Sequence, residues 1–211
     1  MPPVVSIIGK SKSGKTTIVE KLVKELTSRG YQVATVKHAQ DVDFDVPGKD
    51  SWRHIQAGST ATALSSPREV IIIKPFKSQP ALEQVLRFLG EDYDIILTEG
   101  FKEGSAPKIE VHLQKSGAPL QAIKGLLAIV TDEPLETKAR QYSFDDIKSL
   151  ADLLEKGFIK SEKGRTSLYI NNVPIVLKSF PKKIIKDTIY GMLSALNGLG
   201  RIKSIDIYLR K

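Results

Sequence analysis

Residues 9–16 read Gly-Lys-Ser-Lys-Ser-Gly-Lys-Thr and fill the pattern G-x-x-x-x-G-K-[ST], which leaves a chain few folds to adopt. The apolar run Val4 to Ile8 leads into it, and a helical pattern of Ile18, Val19, Leu22, Val23 and Leu26 follows. Strand, glycine-bounded loop and helix in that order build an anion site. Gly9 and Gly14 let the backbone curl so that the N–H groups of residues 11–16 point into one concavity. The helix N-terminus adds its partial positive charge. The phosphate-binding residues predicted from this motif are Gly9, Lys10, Ser11, Lys12, Ser13, Gly14, Lys15, Thr16 and Thr17. Lys15 can reach the β and γ phosphates, and the Thr16 hydroxyl can ligate Mg²⁺. A Gly/Ser/Lys turn ahead of a helix is the structural alternative, but it does not require the strand in front. A nucleoside triphosphate is the expected ligand.

The 211 residues suffice for one α/β domain and a small appendage. Hydrophobic residues at 41% and charged residues at 27% describe an ordinary globular chain rather than a disordered one. The absence of cysteine excludes disulfides, cysteine zinc sites and thiol catalysis. Met1-Pro2-Pro3 runs straight into the first strand, so no secretory leader is expected, and no apolar stretch approaches a membrane span. A cytoplasmic location is therefore predicted, with no membrane partner. The net charge of +8 invites a nucleic-acid reading. The lysines, however, cluster only at Lys10/Lys12/Lys15, already assigned to phosphates, and at Lys182/Lys183/Lys186 on a helical pattern whose basic face suits solvent. Nucleic acid is not expected as the main partner.

Apolar runs alternating with helical patterns predict an α/β fold, a P-loop NTPase-like and largely parallel sheet flanked by helices. Strands are expected at Val4–Ile8, Val33–Val36, Asp94–Thr98, Ile109–Leu113 and Leu126–Val130, with shorter β segments at Ala61–Leu64 and Val70–Ile73. Helices are expected up to Ser28, over Ser51–Ala57, Pro80–Leu89 and Phe144–Glu155. This predicts a nucleotide-binding domain over residues 1–160. Ser161-Glu162-Lys163-Gly164 reads as a linker to a small C-terminal α+β extension over 161–211. Its predicted β-β-α-β order runs Ser167–Ile170, a turn at Asn171-Asn172, Val173–Leu177, helix Lys182–Leu196 and strand Ile202–Leu209.

In open α/β sheets a ligand sits outside the carboxyl ends of the strands. Asp94 and Glu99 bracket one strand and lie roughly 16 Å apart at ~3.3 Å per residue, so only one can approach the triphosphate. Glu99, at the carboxyl end before Gly100, is the better choice for Mg²⁺ or its water shell. The loop after the second strand reaches the same edge with Asp41, Asp43, Asp45 and Asp50, and Asp43 and Asp45 are further magnesium candidates. His38, His54 and His112 are too scattered to make a metal triad, and Trp52 reads as core. Asp132, at the end of the strand Leu126–Val130, can accept from guanine N1–H and the 2-amino group together, or can simply belong to a turn.

Beyond the loop, the segments Lys37-His38, Phe44-Asp45, Gly48-Lys49-Asp50-Ser51-Trp52-Arg53-His54, Ala57-Gly58-Ser59, Thr98-Glu99-Gly100-Phe101-Lys102 and Pro107-Lys108-Ile109-Glu110-Val111-His112 recur together in one family. The chain resembles MobB, molybdopterin-guanine dinucleotide biosynthesis protein B, over about residues 3–160. Its tail looks like the extension carried by some archaeal members. The resemblance implies a dimeric GTP- and Mg²⁺-binding protein with at most slow hydrolysis, assisting the guanylyltransferase MobA that joins GMP to molybdopterin. It implies that Asp43, Asp45, Lys49 and Asp50 lie near the nucleotide, that Glu99 and Gly100 lie on the γ-phosphate side, and that Asp132 leans toward guanine. Direct contact with molybdopterin is left open. Ala39, Gln40, Asp41 and Leu113 stand where many members carry histidines and an arginine, so roles tied to those side chains do not transfer.

Lys15 and Glu99 are the residues assigned to any catalysis. Neither a base beside an attacking water nor an arginine finger is evident in the sequence, in keeping with slow phosphoryl transfer. A small-molecule kinase and a metal-insertion GTPase are the alternatives. The first would want an arginine-rich lid, and the second a histidine- or cysteine-rich tract.

Overall fold

The computed structural model describes residues 1–40, 45–160, 166–170, 173–175, 177–196, 202, 205 and 207. Six parallel strands form the main sheet: β1 (Val4–Ile8), β2 (Val33–Lys37), β5 (Ile95–Glu99), β6 (Lys108–His112), β7 (Leu126–Thr131) and β8 (Arg140–Tyr142). Their order is β2-β5-β1-β6-β7-β8, and every neighbouring pair is parallel. Strands covered on both faces read as continuous apolar runs, which is why Val4–Ile8 and Leu126–Thr131 carry almost no alternation. From β1 the chain moves outward to β2 on one side, and from β5 it crosses β1 to reach β6 on the other. The loop after β1 therefore opens at the point where the strand order reverses, the crevice that such sheets offer to ligands.

Helix α1 (Lys15–Ser28) buries Ile18, Val19, Leu22 and Leu26 against one sheet face, made by Val5, Ile7, Ile95, Leu97, Ile109, Val111, Ala128 and Val130. Helix α4 (Ile147–Leu154) adds Leu150, Ala151 and Leu154 to the same core. On the opposite face, α3 (Leu82–Leu89) places Leu82 and Leu86 on Ala34, Val36 and Ile96. Helix α2 (Asp50–Gln56) is followed by an antiparallel hairpin of β3 (Thr62–Ser65) and β4 (Val70–Ile73) outside the main sheet.

Under this second face β6 carries buried Lys108, Glu110 and His112 at alternate positions. The Lys108 ammonium donates to the carbonyls of Gly104 (2.6 Å), Ala106 (2.9 Å) and Lys124 (3.1 Å), so all three of its hydrogens are used. Glu110 accepts from the Leu120 N–H at 2.7 Å.

Two departures from the sequence reading have clear causes. The short edge strand β8 has no counterpart among the expected strands, because Arg140-Gln141-Tyr142 is largely exposed and has no apolar pattern. Helix α4 begins at Ile147 rather than Phe144, since Asp146 accepts from the Ser143 N–H at 2.8 Å and holds those residues in a turn. The chain divides into two compact units, Met1–Lys163 and Gly164–Lys211. The second unit contains the hairpin β9 (Leu168–Ile170) and β10 (Val173–Ile175), then α5 (Ser179–Ser194). The predicted Asn171-Asn172 turn, the linker Ser161–Gly164 and most of the last strand lie outside the described residues. No helix among the described residues is long and apolar enough to cross a membrane.

Arg29, just past α1, ties that helix to α4. Its guanidinium lies 2.6 Å from both Asp152 and Glu155 and 2.8 Å from Glu25. Hydrogen bonds from Lys160, Arg29 and Tyr31 pull the Glu155 carboxyl down to about 2. A carboxyl whose folded value is depressed stabilises the fold above its ordinary range near 4.5 and loses that contribution as pH falls toward about 2. Glu155→Gln is thus expected to lower the melting temperature at neutral pH and to flatten its fall across that acid window. Thermal melts followed by circular dichroism at a series of pH values check both effects.

Candidate functional site

The loop from Gly9 to Gly14 curls because three of its residues hold positive φ, Gly9 at 150°, Lys12 at 60° and Gly14 at 91°. Right- and left-handed backbone in succession is the geometry of an anion nest at the start of α1, and within it the Ser13 N–H donates to the Lys10 carbonyl at 3.3 Å. Gly9 is obligatory for a second reason besides its positive φ. A Cβ there would stand 2.3 Å from the Val111 carbonyl oxygen and 2.7 Å from Ser13 Oγ. The loop backbone lies directly on β6, where no side chain fits. Ser13 is buried, and among the described residues its hydroxyl has no hydrogen-bond partner.

The side chains around this nest converge on Glu99. Thr16 Oγ1, in the first turn of α1, is 3.0 Å from each carboxylate oxygen of Glu99 at the end of β5. Lys37 at the end of β2 brings its Nζ within 3.5 Å of the same carboxylate. Lys15 folds back to donate to the Lys10 carbonyl at 2.6 Å. Partial burial holds its ammonium below the ordinary lysine range; nearby Glu99 opposes this, and the charge of Lys37 adds to it. A hydroxyl and a carboxylate meeting beside an anion nest are the oxygen donors that a hard divalent ion prefers. The nest, the bare Gly9 backbone and this donor pair together fit a magnesium-bound polyphosphate.

Gly100 follows with φ 99°, and a Cβ on it would come within 2.9 Å of His38 Cβ. His38 packs edge-on against Phe101, hydrogen-bonds to Gln79 and donates its backbone N–H to the Glu99 carbonyl at 2.9 Å. The ends of β2 and β5 are thereby locked together.

Other predicted residues sit elsewhere or serve the scaffold. Asp94 accepts from the Gln32 N–H at 2.8 Å, at the far end of β5 from Glu99. Asp45 accepts from the Ser51 hydroxyl at 2.8 Å, and Asp50 lies 3.7 Å from Arg53, so the contacts of both stay around α2. Lys49 precedes that helix. Asp41 and Asp43 lie outside the described residues. Ser11, Lys12 and Thr17 are exposed on the loop and first turn, while Lys10 donates to the Ser116 carbonyl at 2.9 Å. Asp132 is exposed at the end of β7 and accepts from the Gln114 N–H at 2.8 Å. Beside it, His112 Nε2 lies 2.8 Å from Glu133, and residues 131–134 and 141–143 line a cleft of ≈ 270 Å³. A larger hollow, ≈ 520 Å³, lies between α2 and β3 and has no phosphate-loop residue in its lining. An anion nest needs no deep cavity, so volume does not locate this site. Trp52 is only half-buried. Lys37 is the residue at the site to which sequence reading gave no role; its position on the predicted carboxyl end of β2 was the available signal.

The family described as "Molybdopterin guanine dinucleotide synthesis protein B", MobB, matches residues 4–132. The molybdopterin-guanine dinucleotide biosynthesis adapter protein of Haemophilus influenzae is 37% identical over 159 residues, covering 72% of this chain and 88% of that protein. A relative from Methanocaldococcus jannaschii, 26% identical, spans 97% of this chain and 96% of its own length. Among solved structures, a MobB homologue from Bacillus stearothermophilus matches with a TM-score of 0.58 and 25% identity, covering 75% of this chain and 99% of its own.

Gly9→Ala should force the loop off β6. The expected result is a loss of about 1–3 kcal/mol of folding stability, the usual cost of overpacking, together with weaker binding of inorganic triphosphate. Urea denaturation and calorimetric titration measure the two.

Proposed function

The chain belongs to the MobB family, and from that premise we propose that it is a GTP- and Mg²⁺-binding accessory protein of molybdenum cofactor biosynthesis, acting with a MobA-type guanylyltransferase in the cytoplasm. The observation that carries this reading is the meeting of the Thr16 hydroxyl and the Glu99 carboxylate beside Lys15 at the mouth of the nest. The backbone of residues 11–16 and Lys15 would hold the phosphates, and Thr16 and Glu99 would hold the magnesium ion. A bound magnesium ion would neutralise charge on the phosphates. Asp132 is the proposed acceptor for guanine, its exposed carboxylate standing at the carboxyl end of β7 where the base of a nucleotide on this sheet edge is expected. Hydrolysis is slow in this reading, because positioning and charge stabilisation by Lys15 and the metal act without an arginine from a second protein.

We also propose a homodimer. A two-stranded hairpin is marginal by itself, and β3–β4 leaves Val70 and Ile72 exposed on one of its faces. Pairing with a second copy would cover that face.

Calorimetric titration of GTP and ATP with Mg²⁺ tests the nucleotide assignment. GTP is expected to bind more tightly than ATP, and Lys15→Ala to abolish both. Equal affinity, or a preference for ATP, would overturn the guanine assignment and favour a small-molecule kinase. For the dimer, Ile72→Lys should shift the sedimentation velocity of the chain from dimer to monomer while leaving its circular dichroism spectrum intact.

A further inference from the structure

Lys37 ends β2 at the carboxyl edge of the sheet. On β2 the side chains of Ala34 and Val36 are buried toward α3, whereas Val33 packs on the core beneath α1. Alternation places Lys37 on the same face as Val33. On β5, Ile95 and Leu97 belong to the α1 core, which puts Glu99 on that face as well. Lys37 and Glu99 are register partners at the carboxyl ends of adjacent parallel strands. Both therefore project over the sheet edge on the side where α1 begins, and Thr16 from that helix completes the group.

The 3.5 Å contact between Lys37 and Glu99 does little for stability. The Lys37 side chain is 64% exposed, and pairs of this kind are worth little in water. The arrangement also gathers two lysines around one carboxylate: Lys37 stands 3.5 Å from Glu99, and Lys15 directly precedes Thr16, which lies 3.0 Å from the same group. Cations gathered around too few anions, at a helix N-terminus, suit a site that receives a polyanion. Lys15 is the residue whose amine reaches the terminal phosphates in such loops, and Lys37 shares its surroundings. Across the sheet edge the order is β1 with the loop, then β5 with Glu99, then β2 with Lys37. If Thr16 and Glu99 held a divalent cation, Glu99 would no longer need the Lys37 ammonium, which would be available to a phosphate oxygen.

We propose that Lys37 reads the terminal phosphate of the bound nucleotide, so that it distinguishes a nucleoside triphosphate from a diphosphate. Lys37 has this role only if the loop holds a nucleoside triphosphate, as proposed above. The residue is a specificity determinant rather than a source of general affinity. Its backbone is well placed for this, because His38 donates to the Glu99 carbonyl and Gly100 leaves no room for a side chain between the two strand ends. The ammonium therefore swings from a fixed base.

The test is calorimetric titration of the full chain with GTP, GDP, ATP and ADP, each with Mg²⁺, for wild type, Lys37→Gln and Lys37→Arg. A charge-assisted hydrogen bond to phosphate predicts that Lys37→Gln weakens triphosphate binding about 10- to 100-fold, with diphosphate binding changed less than about twofold. Lys37→Arg keeps the charge and should retain most of the triphosphate preference. Equal weakening of triphosphate and diphosphate, or no weakening, overturns the proposal. Repeating the Lys37→Gln comparison in a Glu99→Gln background separates direct contact from positioning. The triphosphate effect should persist there, and its disappearance would mean that Lys37 acts only through Glu99. Thermal melts of both Lys37 variants should match wild type, since the side chain is exposed. A wild-type preference for ATP would reject the guanine assignment while the ATP-to-ADP ratio still reports on Lys37. A wild type that binds none of the four nucleotides rejects both.

Discussion

The carbonyl oxygen of Val111 lies so near Gly9 that the phosphate loop rests on β6 with no side chain between them. This one approach sets the height of the loop over the sheet and therefore where α1 begins. With α1 placed, Thr16 can reach the end of β5, and Ile18, Leu22 and Leu26 fall onto the core. The seat of the loop on the sheet depends on this close backbone approach, and its curl on the positive φ of Gly9, Lys12 and Gly14, so a short motif governs where the helix starts.

The two faces of the sheet are stabilised differently. Under α1 and α4 the core is apolar from β5 to β7, and its dense packing makes a rigid platform. On the other face the apolar core with α3 takes in β2, β5 and the start of β1 at Val4, while β6 carries Lys108, Glu110 and His112 under loops. The charged groups of the candidate site sit on the rigid side. Thr16, Glu99 and Lys37 are consequently held by elements with little freedom to shift, a requirement for any site that works through charge placement.

Most of the main sheet could be read from the chain because buried parallel strands are uninterrupted apolar runs. β8 could not, since Arg140-Gln141-Tyr142 at an edge resembles a loop. The strand-end rule picked Glu99 over Asp94, and the structure places Glu99 beside Thr16 while Asp94 accepts from Gln32. The same rule did not single out Lys37. A lysine at a strand end looks like a solvated residue until register sets it opposite Glu99. Asp45 reads as a magnesium candidate and Asp50 as a neighbour of the nucleotide; their bonds to Ser51 and Arg53, set by the geometry of α2, were invisible in sequence. Asp132 was chosen by position, and its bond to the Gln114 N–H depends on a turn that no pattern announced.

The Lys108 ammonium has a consequence for how this domain opens. It gathers carbonyls from two segments, Gly104 and Ala106 before β6 and Lys124 after it, around one buried charge. If either segment lifted away, the cation would lose part of its solvation while still enclosed by the other. A partly stripped buried charge is far less favourable than one fully bound or fully hydrated. Intermediate states are thereby penalised, and the two segments behave as one cooperative unit despite their separation in the chain.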